Sequence, residues 1–175
     1  MSPSVSVVIP TWNAAADVRR VLDLLALQED AHFEVLVVDN GVVNRETEEV
    51  CESLGKSFPG GLRYLRFEKQ LGYAGAVNEG AAAALHDLVA VINNDNLPDR
   101  RWLAELVVAY EAKRREGREA IVSSHVHRPD FPDPFGTRFN LWGRYVRALR
   151  CGEYIPFHPD GSAFLFSRAA FGRPY

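Results

Sequence analysis

The chain has 175 residues, with 20 lysines and arginines against 23 aspartates and glutamates and a net charge of −3. That length fits a single domain able to bury a core, and the charge balance leaves no basic footprint for nucleic acid. No stretch nears the ~20 apolar residues of a membrane span, no basic n-region with an apolar core opens the chain, and Cys51 and Cys151 stand in no metal or redox motif; the expectation is a cytoplasmic protein, peripheral to a membrane at most.

Residues 5–9, 33–38, 62–67 and 88–92 read as strands. Most are near-continuous apolar runs, the pattern of parallel strands covered on both faces. Val18, Val21, Leu22 and Leu25 between the first two recur at helical spacing. Residues 45–54 are a weaker helical stretch, and 73–85 are alanine-rich and helix-permissive. Leu103, Leu106, Val107 and Tyr110 repeat the helical spacing after a Pro98-Asp99 start signal. Lys113-Arg114-Arg115 fits the solvated end of that helix. Residues 119–123 then read as a fifth strand. Pro129, Pro132, Pro134 and Gly136 mark a loop, with Phe131, Phe135, Phe139, Trp142 and Tyr145 as core or oligomer-contact aromatics. Residues 162–167 close the pattern as another strand.

Strands and helices alternate, so the fold class is α/β: a Rossmann-like, mostly parallel sheet with helices on both faces. In such sheets ligands lie beyond the carboxyl ends of the strands. The first strand ends in Pro10-Thr11-Trp12-Asn13 and the second in Asp39-Asn40-Gly41. The third is followed by Gln70-Leu71-Gly72-Tyr73-Ala74-Gly75 and then Asn78, and the fourth ends in Asn93-Asn94-Asp95. Each strand end therefore carries small, polar or acidic groups where a ligand would lie. Asp95, directly after a fully apolar strand, suits a hard cation that shares its ligands with phosphate. No Walker loop and no G-x-G-x-x-G after the first strand is present.

These pieces in order resemble glycosyltransferase family 2, the inverting nucleotide-sugar transferases of GT-A fold. The resemblance rests on residues 5–13, 37–41, 71–80 and 92–95, with Gly161 to Arg168 similar to the family's acceptor-side strand. The Leu71-Gly72-Tyr73-Ala74-Gly75 version is similar to the branch that includes rhamnosyltransferases. The resemblance implies one GT-A domain over 1–175, with 1–124 binding a nucleoside-diphosphate sugar and 125–175 forming part of an acceptor side for an unidentified hydroxyl. It places Pro10, Thr11 and Asn13 against the nucleoside and Asp39 on the base or ribose. Gly72 would allow close backbone approach, and Asn78 would help shape the pocket. Asn93, Asn94 and Asp95 would occupy the D-x-D region, with Asp95 binding Mg²⁺ or Mn²⁺.

Asn93 departs from the family's usual first acid, and Gln70 stands where asparagine is commoner. The acidic segment that supplies the family's base is expected beyond Phe171-Gly172-Arg173-Pro174-Tyr175. Asp160 is the nearest acid in a suitable region, as substitute base or acceptor-pocket lining. A non-catalytic nucleotide-sugar binder and a nucleotidyltransferase remain as alternatives. Plainer readings stand beside these: Asp95 as a helix cap, Asp39-Asn40-Gly41 as a simple turn, and His125 and His127 as ordinary polar residues at a strand end.

Overall fold

The computed structural model describes residues 3–124, 137–139, 145–147 and 162–171. Its element order is β1 Ser4–Thr11, α1 Ala15–Leu25, β2 His32–Asn40, α2 Glu46–Gly55, β3 Leu62–Phe67, α3 Gly72–Ala83, β4 Leu88–Ile92, α4 Trp102–Arg115, β5 Val122–Ser123, β6 Thr137–Phe139, β7 Tyr145–Arg147, β8 Ala163–Ser167 and α5 Arg168–Phe171. The apolar runs become a six-stranded sheet ordered β3-β2-β1-β4-β8-β5. β3, β2, β1 and β4 run parallel, and β8 is antiparallel to both β4 and β5. β6 and β7 pair separately as an antiparallel two-stranded ribbon.

Strand alternation sends successive residues to opposite faces, and each face finds its own cover. Val5, Val7, Ile9, Val35 and Val37 join Val18, Leu22 and Leu25 of α1, Cys51 of α2 and Leu103 and Tyr110 of α4 in one core. Val8, Val38, Val89 and Val91 join Ala76, Val77 and Ala81 of α3 in the other. Helices on both faces are thus as the sequence implies. Among the described residues, no helix is long and apolar enough to cross a membrane.

The alanine-rich α3 lies close to the sheet because Gly80 lets it. A Cβ there would sit 2.4 Å from Val8 Cγ1 and 3.0 Å from Val38 Cγ2. Overpacking a core costs about 1–3 kcal/mol, more than the ~1 kcal/mol of helix propensity that alanine returns. Gly80→Val, with two further methyls to place, is expected to lower the urea midpoint of unfolding clearly more than Gly80→Ala does.

A buried charge sits inside the second strand. Glu34 Oε1 accepts hydrogen bonds from Ser6 Oγ at 2.7 Å and the Leu85 amide at 2.7 Å, and Oε2 accepts one from Arg63 Nη1 at 3.1 Å. Arg63 also donates to the Ala83 carbonyl, and the His86 amide donates to Ser6 Oγ. This network ties β1, β2 and β3 to the connection that carries the chain from α3 into β4.

Three details sharpen the sequence expectations. The fifth strand is reduced to Val122–Ser123, the two residues that pair with β8, and Glu119 before it accepts a hydrogen bond from the Tyr110 hydroxyl of α4. The closing strand enters the sheet between β4 and β5, pinned where the Asn93 amide donates to Ser162 O and the Arg168 amide donates to Asp87 O. It therefore has to run backwards against β4. Asp95 does not cap α4: that helix begins at Trp102, and its Leu103 amide donates to Gln28 Oε1 from the loop after α1. Asp160, His125, His127, Cys151, Phe131, Phe135 and Trp142 lie outside the described residues.

Candidate functional site

Because β1, β2, β3 and β4 are parallel, all of their carboxyl ends open on one edge of the sheet. β8 runs the opposite way, so its first residues arrive at that same edge. Thr11 and Asp39 are register partners on β1 and β2 and continue the face that carries Ile9 and Val37. Both are buried. Thr11 Oγ1, Asp39 Oδ1 and Asn93 Oδ1 are buried atoms without a hydrogen-bond partner. They stand at the ends of β1, β2 and β4, which are consecutive strands in the sheet. Nearly all buried polar atoms in folded proteins are paired, and leaving one unpaired costs about 1–3 kcal/mol. Their grouping at one sheet edge marks a place built for a polar ligand.

Asp39 is the most constrained of them. Tyr64, on β3, donates its hydroxyl to Asp39 Oδ2 at 2.8 Å. Burial raises the Asp39 pKa, and the Tyr64 hydroxyl and the Arg66 charge offset this only in part. Arg66, the register partner of Asp39 on β3, is held by Glu68 at 2.8 Å and Glu48 at 3.6 Å. Burial, with the Asp39 charge behind it, pushes the nearby Cys51 thiol up to about 12.

Asn40 points to the other face and organises the next loop. Its Oδ1 accepts from the Leu71 amide at 2.6 Å, and its Nδ2 donates to the Gly72 carbonyl at 3.2 Å. Gly72 adopts φ +71°, a left-handed conformation that disfavours side chains, and a Cβ there would meet open space. The start of α3 is therefore held from below and open above. Asn13 also lies in the left-handed region, at φ +50°, where asparagine is tolerated; its Oδ1 accepts from Asn44 Nδ2 at 3.4 Å. Pro10 is buried within β1 opposite Val38. Asn78 is half-buried on α3.

The Asn93–Asn96 stretch forms a turn closed by the Asn96 amide donating to Asn93 O at 3.1 Å. Asn96 Nδ2 also donates to Ser162 O at 2.9 Å. These bonds fix the turn against β8 and leave Asp95 exposed at its tip, with Asn94 half-buried. Among the described residues, no group of three or more His, Cys, Asp or Glu side chains could hold a metal ion.

The structure thus brings Thr11, Asp39, Gly72, Asn93 and Asp95 to one edge, and it leaves Pro10 inside a strand. Asn40 lies within the Asp39-Asn40-Gly41 strand end but carries no role of its own in the sequence reading, and Tyr64, which donates to Asp39, lies in no motif. Alternation along β2 carries a signal for Asn40, whereas Tyr64 meets Asp39 only through the β2–β3 register.

Residues 6–173 match the profile of glycosyl transferase family 2. The glycosyltransferase AglE of Haloferax volcanii is 31% identical over 103 residues, which are 58% of this chain and 33% of that protein. The validoxylamine A glucosyltransferase of Streptomyces hygroscopicus subsp. jinggangensis is 36% identical over 112 residues, 62% of this chain and 26% of that protein. The mannosyltransferase PcManGT from Pyrobaculum calidifontis, solved in complex with GDP-Man and Mn²⁺, superposes with a TM-score of 0.69 at 22% identity, covering 99% of this chain and 47% of that one. The chain therefore spans about a third or less of these curated relatives and about half of the solved structure. The sheet order, the GT-A fold and a match over almost the whole sequence agree: the chain belongs to glycosyl transferase family 2.

Proposed function

We propose that this chain binds a nucleoside-diphosphate sugar at the carboxyl edge of its sheet, as the donor-binding part of an inverting, divalent-metal-dependent glycosyltransferase. The observation that carries the reading is the row of unpartnered buried oxygens on Thr11, Asp39 and Asn93. Asp39 Oδ1 would accept a hydrogen bond from the base or ribose, with Thr11 and Asn13 beside it. The open space above Gly72 would admit the nucleotide against the backbone, with Asn78 behind it shaping the pocket.

Asp95 would offer a carboxylate oxygen to Mg²⁺ or Mn²⁺, while Asn93 and Asn94 would hydrogen-bond the nucleotide sugar. A single exposed carboxylate fits a cation that takes its remaining ligands from diphosphate and water, and the Mn²⁺ and GDP-Man named with PcManGT support this assignment. Bound there, the cation would supply charge neutralisation for the leaving diphosphate. The turn pinned by Asn96 and Ser162 keeps Asp95 in place. Inversion needs a carboxylate to take the acceptor's proton from the face opposite the leaving group. Asp160 is the candidate that the sequence offers for that step.

A thermal-shift screen of nucleotide sugars with and without Mn²⁺ tests the reading. Ligand at a hundredfold excess over its Kd stabilises by about 2.7 kcal/mol, so one nucleotide class is expected to raise Tm by several degrees, and more with Mn²⁺. A Tm that no nucleotide sugar moves in either condition would rule the reading out.

A further inference from the structure

We infer that Tyr64 is a positioning residue for nucleotide-sugar binding: its hydroxyl occupies Asp39 Oδ2 and so leaves Oδ1 as the acceptor turned to the ligand. The inference rests on the proposed donor site and goes beyond it, because Tyr64 lies in no strand-end motif.

The geometry makes the division of labour explicit. Tyr64 sits on the strand next to Asp39 and on the same sheet face, its ring packed against the core. The hydroxyl bond to Oδ2 is 2.8 Å, while the buried Oδ1 has no hydrogen-bond partner. A neutral donor suits this place better than a cation would. A guanidinium in full contact would engage both carboxylate oxygens and compete with the ligand. Arg66, the nearest cation in register, is instead drawn to Glu48 and Glu68. Thr47 of α2 also hydrogen-bonds the Asp39 carboxylate, with a weaker effect than Tyr64, and the other groups that face Asp39 are Glu48 and Cys51 of α2 and Thr11 of β1.

Charge follows the same logic. Burial favours the neutral carboxyl, and the Tyr64 hydroxyl is the strongest influence opposing it. The phenol is itself raised well above its ordinary value, by burial first and then by its bond to Asp39, so it stays a donor across the working range. Removing the hydroxyl would push the Asp39 pKa further up. Binding that needs the ionised carboxylate would then fail at a higher pH as the solution is acidified.

The test uses Tyr64→Phe, which keeps the ring, in the parent and in Asp39→Ala, which removes the acceptor. UDP, GDP and dTDP with Mn²⁺ are titrated by calorimetry across pH, and the Asp39 carboxyl is followed by NMR in the ligand-free protein. Tyr64→Phe is expected to weaken binding of the preferred nucleotide about tenfold at neutral pH, the scale of a hydrogen bond to a charged group. It is also expected to move both the acidic limb of binding and the Asp39 titration to higher pH. In the Asp39→Ala background the same change should alter affinity by less than about twofold, because the two residues act as a unit. An equal loss in both backgrounds, or an unmoved acidic limb, would overturn the inference and leave the donor site standing. A parent that binds none of the three nucleotides would overturn the donor-site reading and this inference with it.

Discussion

Asp39→Asn is expected to melt higher than the parent while losing roughly ten- to hundredfold in affinity for its nucleotide, the range of a hydrogen bond to a charged acceptor. The two effects share one cause. Asp39 is buried, and its folded pKa is raised above the unfolded value of 3.8. A carboxyl of that kind contributes stability below its unfolded pKa and loses that contribution as pH rises through the folded one. At neutral pH the ionised group therefore costs stability, and the amide removes the charge while still accepting from Tyr64. A gain of 1 kcal/mol corresponds to about 2–4 °C in a chain of this size, and it should fade as pH falls from the raised folded pKa towards 3.8 and be gone below it, where both proteins are neutral at this position. Differential scanning calorimetry against pH, beside nucleotide titration, measures both halves. A variant that melts lower at neutral pH and binds as well as the parent would show that Asp39 serves the fold.

Glu34→Ala carries the opposite expectation: a loss of about 3 kcal/mol, on the scale of buried groups stripped of a partner, and about 6–12 °C in Tm. The substitution deprives Ser6 Oγ, the Leu85 amide and Arg63 of their common acceptor. Burial alone would raise the Glu34 pKa, but the Leu85 amide, the Ser6 hydroxyl and Arg63 more than offset it, and the folded value lies below the ordinary 4.5. The sign is therefore reversed from Asp39. Stability from Glu34 is full above pH 4.5 and is lost as pH falls through the folded pKa. The parent should lose Tm over that interval, and Glu34→Gln should lack that component of the loss. Nucleotide affinity at neutral pH should survive in Glu34→Gln, because this network lies away from the carboxyl edge.

The contrast between these two acids shows what the sequence could reveal. Both sit in one strand, Glu34 near its start and Asp39 near its end. Asp39 was legible as a site residue because it follows an apolar run in a βα pattern, and strand ends of that kind face ligands. Glu34 interrupts an apolar run, and nothing in the run says that Ser6 and Leu85 will meet it from 28 and 51 residues away. Tyr64 was hidden for the same reason: only the register that sets Val37 beside Tyr64 brings its hydroxyl to Asp39. The parallel core was readable from near-continuous hydrophobic strands. The antiparallel insertion of β8 beside β4 was not, because strand order follows from where the chain re-enters the sheet at Asn93 and Ser162.

Asp95 is proposed to hold the divalent cation that neutralises the diphosphate of a sugar donor, and the functional reading turns on that role. Calorimetric titration of the nucleoside diphosphate into the parent and into Asp95→Ala, each in Mn²⁺ and in EDTA, tests it most directly. Chelation is expected to weaken the parent at least about tenfold, the scale of one interaction with a charged group, and Asp95→Ala is expected to bind in both conditions as the chelated parent does. Tight binding that ignores the metal, or an Asp95→Ala protein with the parent's full Mn²⁺ response, would contradict it.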